Sequence, residues 1–195
     1  MARVEPLTPQ DMPEFKDLIG AIGTDHGYVP NSFLTLGRHP ALLDAMGKCA
    51  DALWYDDRLP QPLRRLTGFA FSLFSGAMYS AAHLAFGAEE LGLAREKLLS
   101  VHDYETAPVY SDGERAVLRL CRHAARMPGE VTDADMRDME RHFDDGTILL
   151  IVGLIAWHAF LNRWNDTMAT RLEDKPRRYA QDNLQPVGWT LGKHG

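Results

Sequence analysis

The run from Ile148 to Leu161 is the most apolar stretch of the chain, and it constrains the architecture more than any other feature. It is shorter than the roughly 20 residues that a membrane span needs, and His158 interrupts it. Such a segment reads as a helix buried among other helices, and the protein as soluble and cytoplasmic with no membrane partner. A buried helix needs neighbours with apolar faces, and the rest of the sequence supplies them. β-branched runs are short, and no Asn-Gly or Asp-Gly pair sits between alternating segments. Asp112-Gly113 and Asp145-Gly146 lie near helix starts instead. The pattern predicts an all-α fold.

Start and stop signals divide the chain further. Thr8-Pro9 opens a first helix to about Ile22. Gly27 to Phe33 reads as a loop entering a short helix. His39-Pro40 opens a helix to about Trp54, with Leu42, Leu43, Met46, Ala50 and Leu53 on one side. Pro60 and Pro62 open the next, to about Phe74. The region of Gly76 breaks it, and a helix follows from about Met78 to Leu91, with His83 near its N-terminal end. Ala94 to Val101 forms a short helix. Ser111 and Glu114 have capping-box spacing and open a helix to about Arg126. Thr132 to Phe143 is amphipathic, and Asp144 or Asp145 caps the long apolar helix, which runs to about Met168. Pro176, Pro186, Gly188 and Gly192 make the tail an extended arm. Its Tyr179, Leu184, Val187 and Trp189 predict that it docks, on a neighbouring subunit. The expected organisation is one helical domain over residues 1–174 and an arm over 175–195.

Composition narrows the function. A chain of 195 residues is long enough for a sizeable core, and its 45% hydrophobic and 25% charged residues are ordinary globular values. Net charge is -6 and no basic stripe stands out, which argues against a nucleic-acid partner. Cys49 and Cys121 are far apart and in no metal or redox spacing, so neither a disulfide scaffold nor a thiol centre is expected, and a reducing compartment fits. The first residues, Met1 to Pro6, have no apolar signal core. No glycine-rich phosphate loop occurs, and no His/Glu pair stands at ligand spacing on an apolar helix face. Neither a nucleotide cofactor nor a metal is expected. Met78, Phe69, Phe71, Phe74 and Phe86 read as core.

Three groups of residues have the chemistry of a site. His83 titrates near neutrality, and Tyr79 lies one turn earlier on the same face, with Ser80 beside it. Together they can present imidazole, phenol and hydroxyl to one cavity, or be a histidine satisfied by backbone. His158 interrupts the apolar helix, with Asn162 and Asp166 continuing a polar stripe that lines a pocket, forms a buried structural network or makes an oligomer contact. Arg64 and Arg65 have the charge and geometry to hold a substrate carboxylate, or stand on a solvated face or in a salt bridge. His26, His39, His102, His123, His142 and His194 occur in polar or terminal contexts and are given no role.

The segment Ser75-Gly76-Ala77-Met78-Tyr79-Ser80-Ala81-Ala82-His83, continued to Leu93, resembles the core of the carboxymuconolactone decarboxylase and AhpD-like alkylhydroperoxidase superfamily. The resemblance spans roughly residues 27–172. It takes in Val29-Pro30-Asn31-Ser32-Phe33, His39-Pro40 and Leu161-Asn162-Arg163, and Gly188 to His194 is similar to the close of longer members. It implies a helical bundle that forms homo-oligomers, and a functional histidine at position 83. The peroxidase branch carries Cys-x-x-Cys-x-x-x-His, and Gly76 and Tyr79 stand at the two cysteine positions. Its relay glutamate falls near Arg64 and Arg65, where this chain has no acid. The resemblance therefore implies a cofactor-independent lyase or isomerase of the decarboxylase type, acting on a small carboxylated or carbonyl substrate. His83, Tyr79 and His158 would be catalytic, and Ser80, Asn162, Arg64 and Arg65 would bind substrate. A peroxidase by family likeness alone, or a non-catalytic binding or assembly protein, are the alternatives.

Overall fold

A computed structural model describes residues 2–195, except for the side chains of residues 21 and 24–26, so His26 lies outside the described side chains. The chain forms α1 (Lys16–His26), α2 (Asn31–Leu36), α3 (Pro40–Trp54), α4 (Gln61–Phe74) and α5 (Met78–Ala85). After these come α6 (Arg95–Leu99), α7 (Asp112–Ala124), α8 (Asp133–Glu140), α9 (Asp145–Met168) and α10 (Asp174–Asn183). Short 3-10 turns link them, and no strand occurs among the described residues. The all-α expectation holds.

The predicted caps are present where side chains can satisfy free amides. Ser111 Oγ accepts from the Glu114 amide at 3.2 Å, and Glu114 accepts from the Ser111 amide at 2.9 Å. Asp144 closes the first turn of α9 by accepting from the Thr147 amide at 2.7 Å. His39, given no role above, accepts from the Leu42 amide at 3.1 Å and so starts α3.

α4 is the centre of the bundle. It packs against α5, α7 and α9, and Leu66, Phe69 and Ala70 are sealed from solvent. Each large side chain buried in this way contributes about 1.5–3 kcal/mol relative to exposure. α9 crosses this core with Ile151 and Leu154 fully inside. It is longer than its apolar run and is long and apolar enough to span a bilayer by length and composition alone. In this fold 44% of its most apolar 18-residue window is buried, and Leu149, Val152 and Phe160 are exposed.

Three expectations are corrected. The first helix starts at Lys16, because Pro9 and Pro13 each open only a 3-10 turn. α5 ends at Ala85 rather than Leu91. Phe86 turns extended and Gly87 takes φ +74°, a left-handed conformation that glycine adopts without strain and that stops a helix. His83 therefore lies in the last turn of α5, not near its start. The tail is not extended. Asp174 to Asn183 is helical, and Ala180, Leu184, Val187 and Trp189 are buried against the same chain. Trp189 Nε1 donates to the Met78 carbonyl at 2.8 Å, which ties the tail to the start of α5.

Candidate active site

The short length of α5 determines how His83 is presented. With the helix ending two residues later, the imidazole stands at an edge and its side chain keeps 15% of its exposure. Both ring nitrogens have partners from distant parts of the chain. Nδ1 is 2.7 Å from the Tyr28 hydroxyl, and Nε2 is 2.6 Å from Glu173 Oε2. The second contact is an ionic approach rather than an aligned hydrogen bond, since the ring N–H does not point along it. Tyr79 lies against the same ring, with centroids 4.5 Å apart, and its hydroxyl donates to Glu173 Oε1 at 2.9 Å. The Asn31 amide also donates to Oε1. Tyr28, His83, Glu173 and Tyr79 thus form one continuous network.

Electrostatics follow from this packing. Burial pushes the Glu173 carboxyl up, but His83 beside it and the Asn31 amide outweigh that, and the group stays below the usual carboxylate range. Burial and the Glu173 charge hold the Tyr79 phenol well above its ordinary value. Tyr28 is raised for the same two reasons, with Arg65 opposing. The cluster therefore keeps one ionised carboxylate and two neutral phenols around the imidazole.

Glu173 reaches the site through an unusual turn. Ala169 ends α9 at φ 48° and ψ 45°, a left-handed conformation that costs a non-glycine residue about 1–2 kcal/mol. The turn sends residues 170–173 back along the bundle. There His194 Nδ1 donates to the Thr170 carbonyl at 2.7 Å, and the Leu172 amide donates to the His194 carbonyl at 2.8 Å. The folded tail thus fixes the segment that carries the acid. A cleft of about 610 Å³ opens beside it, lined in part by Asn31, Arg171 and Glu173.

The other expected residues lie apart from this network. His158 is 4% exposed and neither ring nitrogen has a hydrogen-bond partner. Its ring packs on α4 at Gly68, where a methyl group would lie 2.5 Å from Nε2, and it meets the Trp54 ring edge-on at 5.9 Å. Burial, with the Arg65 charge nearby, lowers its pKa to about 3, so the imidazole is neutral. Asn162 Oδ1 accepts from Ser72 at 3.2 Å, and Asp166 pairs with Lys193 at 2.7 Å. At His158 and Asn162 the stripe of α9 faces Gly68 and Ser72 of α4, not His83. Ser80 is buried, and its hydroxyl takes no part in the hydrogen bonds around His83.

The two arginines differ sharply. Arg64 is buried and donates to the carbonyls of Trp54 and Asp56, closing the end of α3. Arg65 reaches the other way. Its Nη1 donates to the His83 carbonyl at 3.3 Å, and its guanidinium carbon lies 5.6 Å from the centre of the Trp54 ring.

No thiol enters the cluster. Cys49 is exposed on α3, while Cys121 is buried, its sulfur 3.6 Å from the Thr67 carbonyl and its thiol pushed up by burial. No group of three or more His, Cys, Asp or Glu side chains suited to a metal ion occurs among the described residues. Sequence reasoning missed Glu173 and Tyr28. Tyr28 stands between Gly27 and Pro30 in a loop already singled out, an odd place for a large aromatic residue. Glu173 carried no local signal, because its partner His83 is 90 residues away.

No family model matches the chain. The uncharacterized protein YnjA of Escherichia coli K12 is 33% identical over 81 residues, which are 42% of this chain and 44% of that protein. This chain is also similar to the debrominase Bmp8, solved both free and, as a cysteine-to-alanine variant, with 2,3,4-tribromopyrrole. With that complex it shares 26% identity and a TM-score of 0.85, over 94% of this chain and 96% of the other. A third likeness is to an uncharacterized peroxidase-related protein from Ralstonia eutropha JMP134, described as an alkylhydroperoxidase AhpD core. It is 24% identical with a TM-score of 0.76, covering 90% of this chain and 94% of that one.

Proposed function

We propose that this chain, which has the AhpD-like fold, uses His83 to move a proton on a small carboxylated or carbonyl-bearing substrate, as a cofactor-independent lyase or isomerase. The observation that supports the reading is the pairing of one imidazole with Glu173 on Nε2 and a phenol on Nδ1. A carboxylate beside an imidazole is the counter-charge that a general acid or base of this type needs. Glu173 and Tyr79 close the Nε2 side, so Nδ1 faces the substrate, which takes the place of the Tyr28 hydroxyl. In a decarboxylation, the electron pair left on carbon by departing carbon dioxide takes the Nδ1 proton, which leaves a neutral imidazole beside the Glu173 carboxylate. Tyr79 holds both the ring and the carboxylate in register.

The thiol route has no support in the cluster. Peroxidase chemistry needs a nucleophilic thiolate and a resolving thiol, and Gly76 and Tyr79 occupy those positions. The likeness to Bmp8, solved with 2,3,4-tribromopyrrole, favours a second reading in which the substrate is a halogenated aromatic ring.

His83→Gln keeps a hydrogen-bonding side chain and removes titration. Turnover of small carboxylated and carbonyl compounds, followed by carbon dioxide release or isomerisation, should fall about 10²-fold or more with the helical content unchanged. Turnover equal to the unaltered protein would favour a non-catalytic scaffold.

A further inference from the structure

The surroundings of Arg65 are neutral on every side that the structure describes. Its neighbours are the His83 carbonyl, the Trp54 ring, the Tyr28 phenol and the neutral His158 imidazole. Among the described residues no carboxylate pairs with it, and its Nε is buried without a partner. A single carbonyl at 3.3 Å and one aromatic face leave most of a five-donor guanidinium unused. A buried cation without a counter-charge is costly, and proteins retain one where an anion completes it. Arg64, its neighbour in sequence, also has an unpartnered Nε, but two carbonyls take up both of its terminal nitrogens.

We infer that Arg65 is the anion seat of the site, holding the carboxylate of a small planar acid whose body lies against Trp54, Tyr28 and Phe86. A carboxylate meets a guanidinium in its own plane through two parallel hydrogen bonds. The wall beyond is aromatic: Tyr28 packs on Phe86 at 6.0 Å and on His83 at 5.5 Å, and Trp54 lies under the guanidinium. Flat conjugated or aromatic acids suit such a wall better than puckered ones. Burial already weakens the hold of Arg65 on its proton, and a bound carboxylate would restore it. The use of the seat in catalysis rests on the reading of His83 given above, whereas binding itself does not.

Benzoate tests this with the native protein, by calorimetric titration and thermal melting. It should bind saturably and raise the melting temperature. Benzamide, of the same shape without charge, should not, and cyclohexanecarboxylate should bind more weakly. Arg65→Gln should lose about tenfold or more of the benzoate affinity, yet melt no lower than the native protein when ligand-free. Arg65→Lys, which keeps the charge and loses the fork, should fall between and serves if the glutamine variant does not fold. His83→Gln should still bind benzoate, so loss of turnover with retained binding separates the two readings. Absence of benzoate binding, equal binding of benzamide or inorganic phosphate, or benzoate binding unchanged in Arg65→Gln would overturn the proposal.

Discussion

His83 and His158 sit on two helices that both pack on α4, and the fold treats their imidazoles in opposite ways. His83 is partly open and meets a phenol on one nitrogen and a carboxylate on the other. His158 is sealed in, meets a glycine and an indole, and has no partner on either nitrogen. The first environment sets a carboxylate beside the ring, while the second keeps the ring neutral. Two histidines that the sequence offers alike thus separate into one with a carboxylate beside it and one that packs the core, and what separates them is the presence of a counter-charge.

The comparison is sharpest in acid. The folded His158 stays neutral down to about pH 3, whereas an unfolded histidine takes up a proton near pH 6.5. Its contribution is therefore fully present above pH 6.5 and is lost as pH falls from there toward 3. Each tenfold rise in proton activity across that window removes about 1.4 kcal/mol, so the whole loss amounts to several kcal/mol. Chemical denaturation at pH 7 and at pH 4.5 should show it, and His158→Leu should remove most of the difference. Glu173 adds a second loss at lower pH, since its depressed carboxyl stabilises the fold above the unfolded pKa and ceases to do so as pH drops through the folded one. If His158→Leu left the acid sensitivity unchanged, the account of its burial would fail.

A smaller effect is expected at Gly68. A methyl group there meets the His158 ring at 2.5 and 2.9 Å, an overlap that overpacked cores relieve at about 1–3 kcal/mol. Gly68→Ala should lower the denaturation midpoint while the Tyr28–His83–Glu173 network keeps its turnover. Adding His158→Ala should recover part of the loss, and strict additivity of the two changes would contradict the contact.

The least change is expected at Cys49. The exposed thiol touches neither region, so Cys49→Ser should alter stability by no more than about 0.5 kcal/mol and leave turnover as it was. A large loss of turnover in a folded protein would return the chemistry to a thiol.

The fold was largely legible because its signals are local. The capping box of Ser111 and Glu114, the prolines at the starts of α3 and α4, and the apolar run of α9 each act within a few residues. The end of α5 was misread because Leu84, Ala85 and Leu91 keep a helical look while Gly87 ends the helix. The tail was misread because prolines and glycines outweighed the short helical stretch before Asn183, whose stability comes from burying Ala180 and the Leu184 that follows. At the site, His83 and Tyr79 were legible as a one-turn pair. Glu173 and Tyr28 were not, since tertiary packing alone brings them to the imidazole. Arg64 and Arg65 read alike in sequence, and only the course of the chain around Trp54 gives one a helix end and the other an aromatic face.

The short return from α9 to Glu173 makes the network around His83 depend on the C-terminal segment, which is held to the core through Ala180, Leu184, Val187 and Trp189. Segments of this kind open on their own, at a lower free energy than the whole domain. Denaturant too dilute to melt α4 and α9 would release α10 and withdraw the carboxylate from the imidazole. The turnover proposed for His83 would then vanish before the circular dichroism of the bundle changed, and return as quickly on dilution.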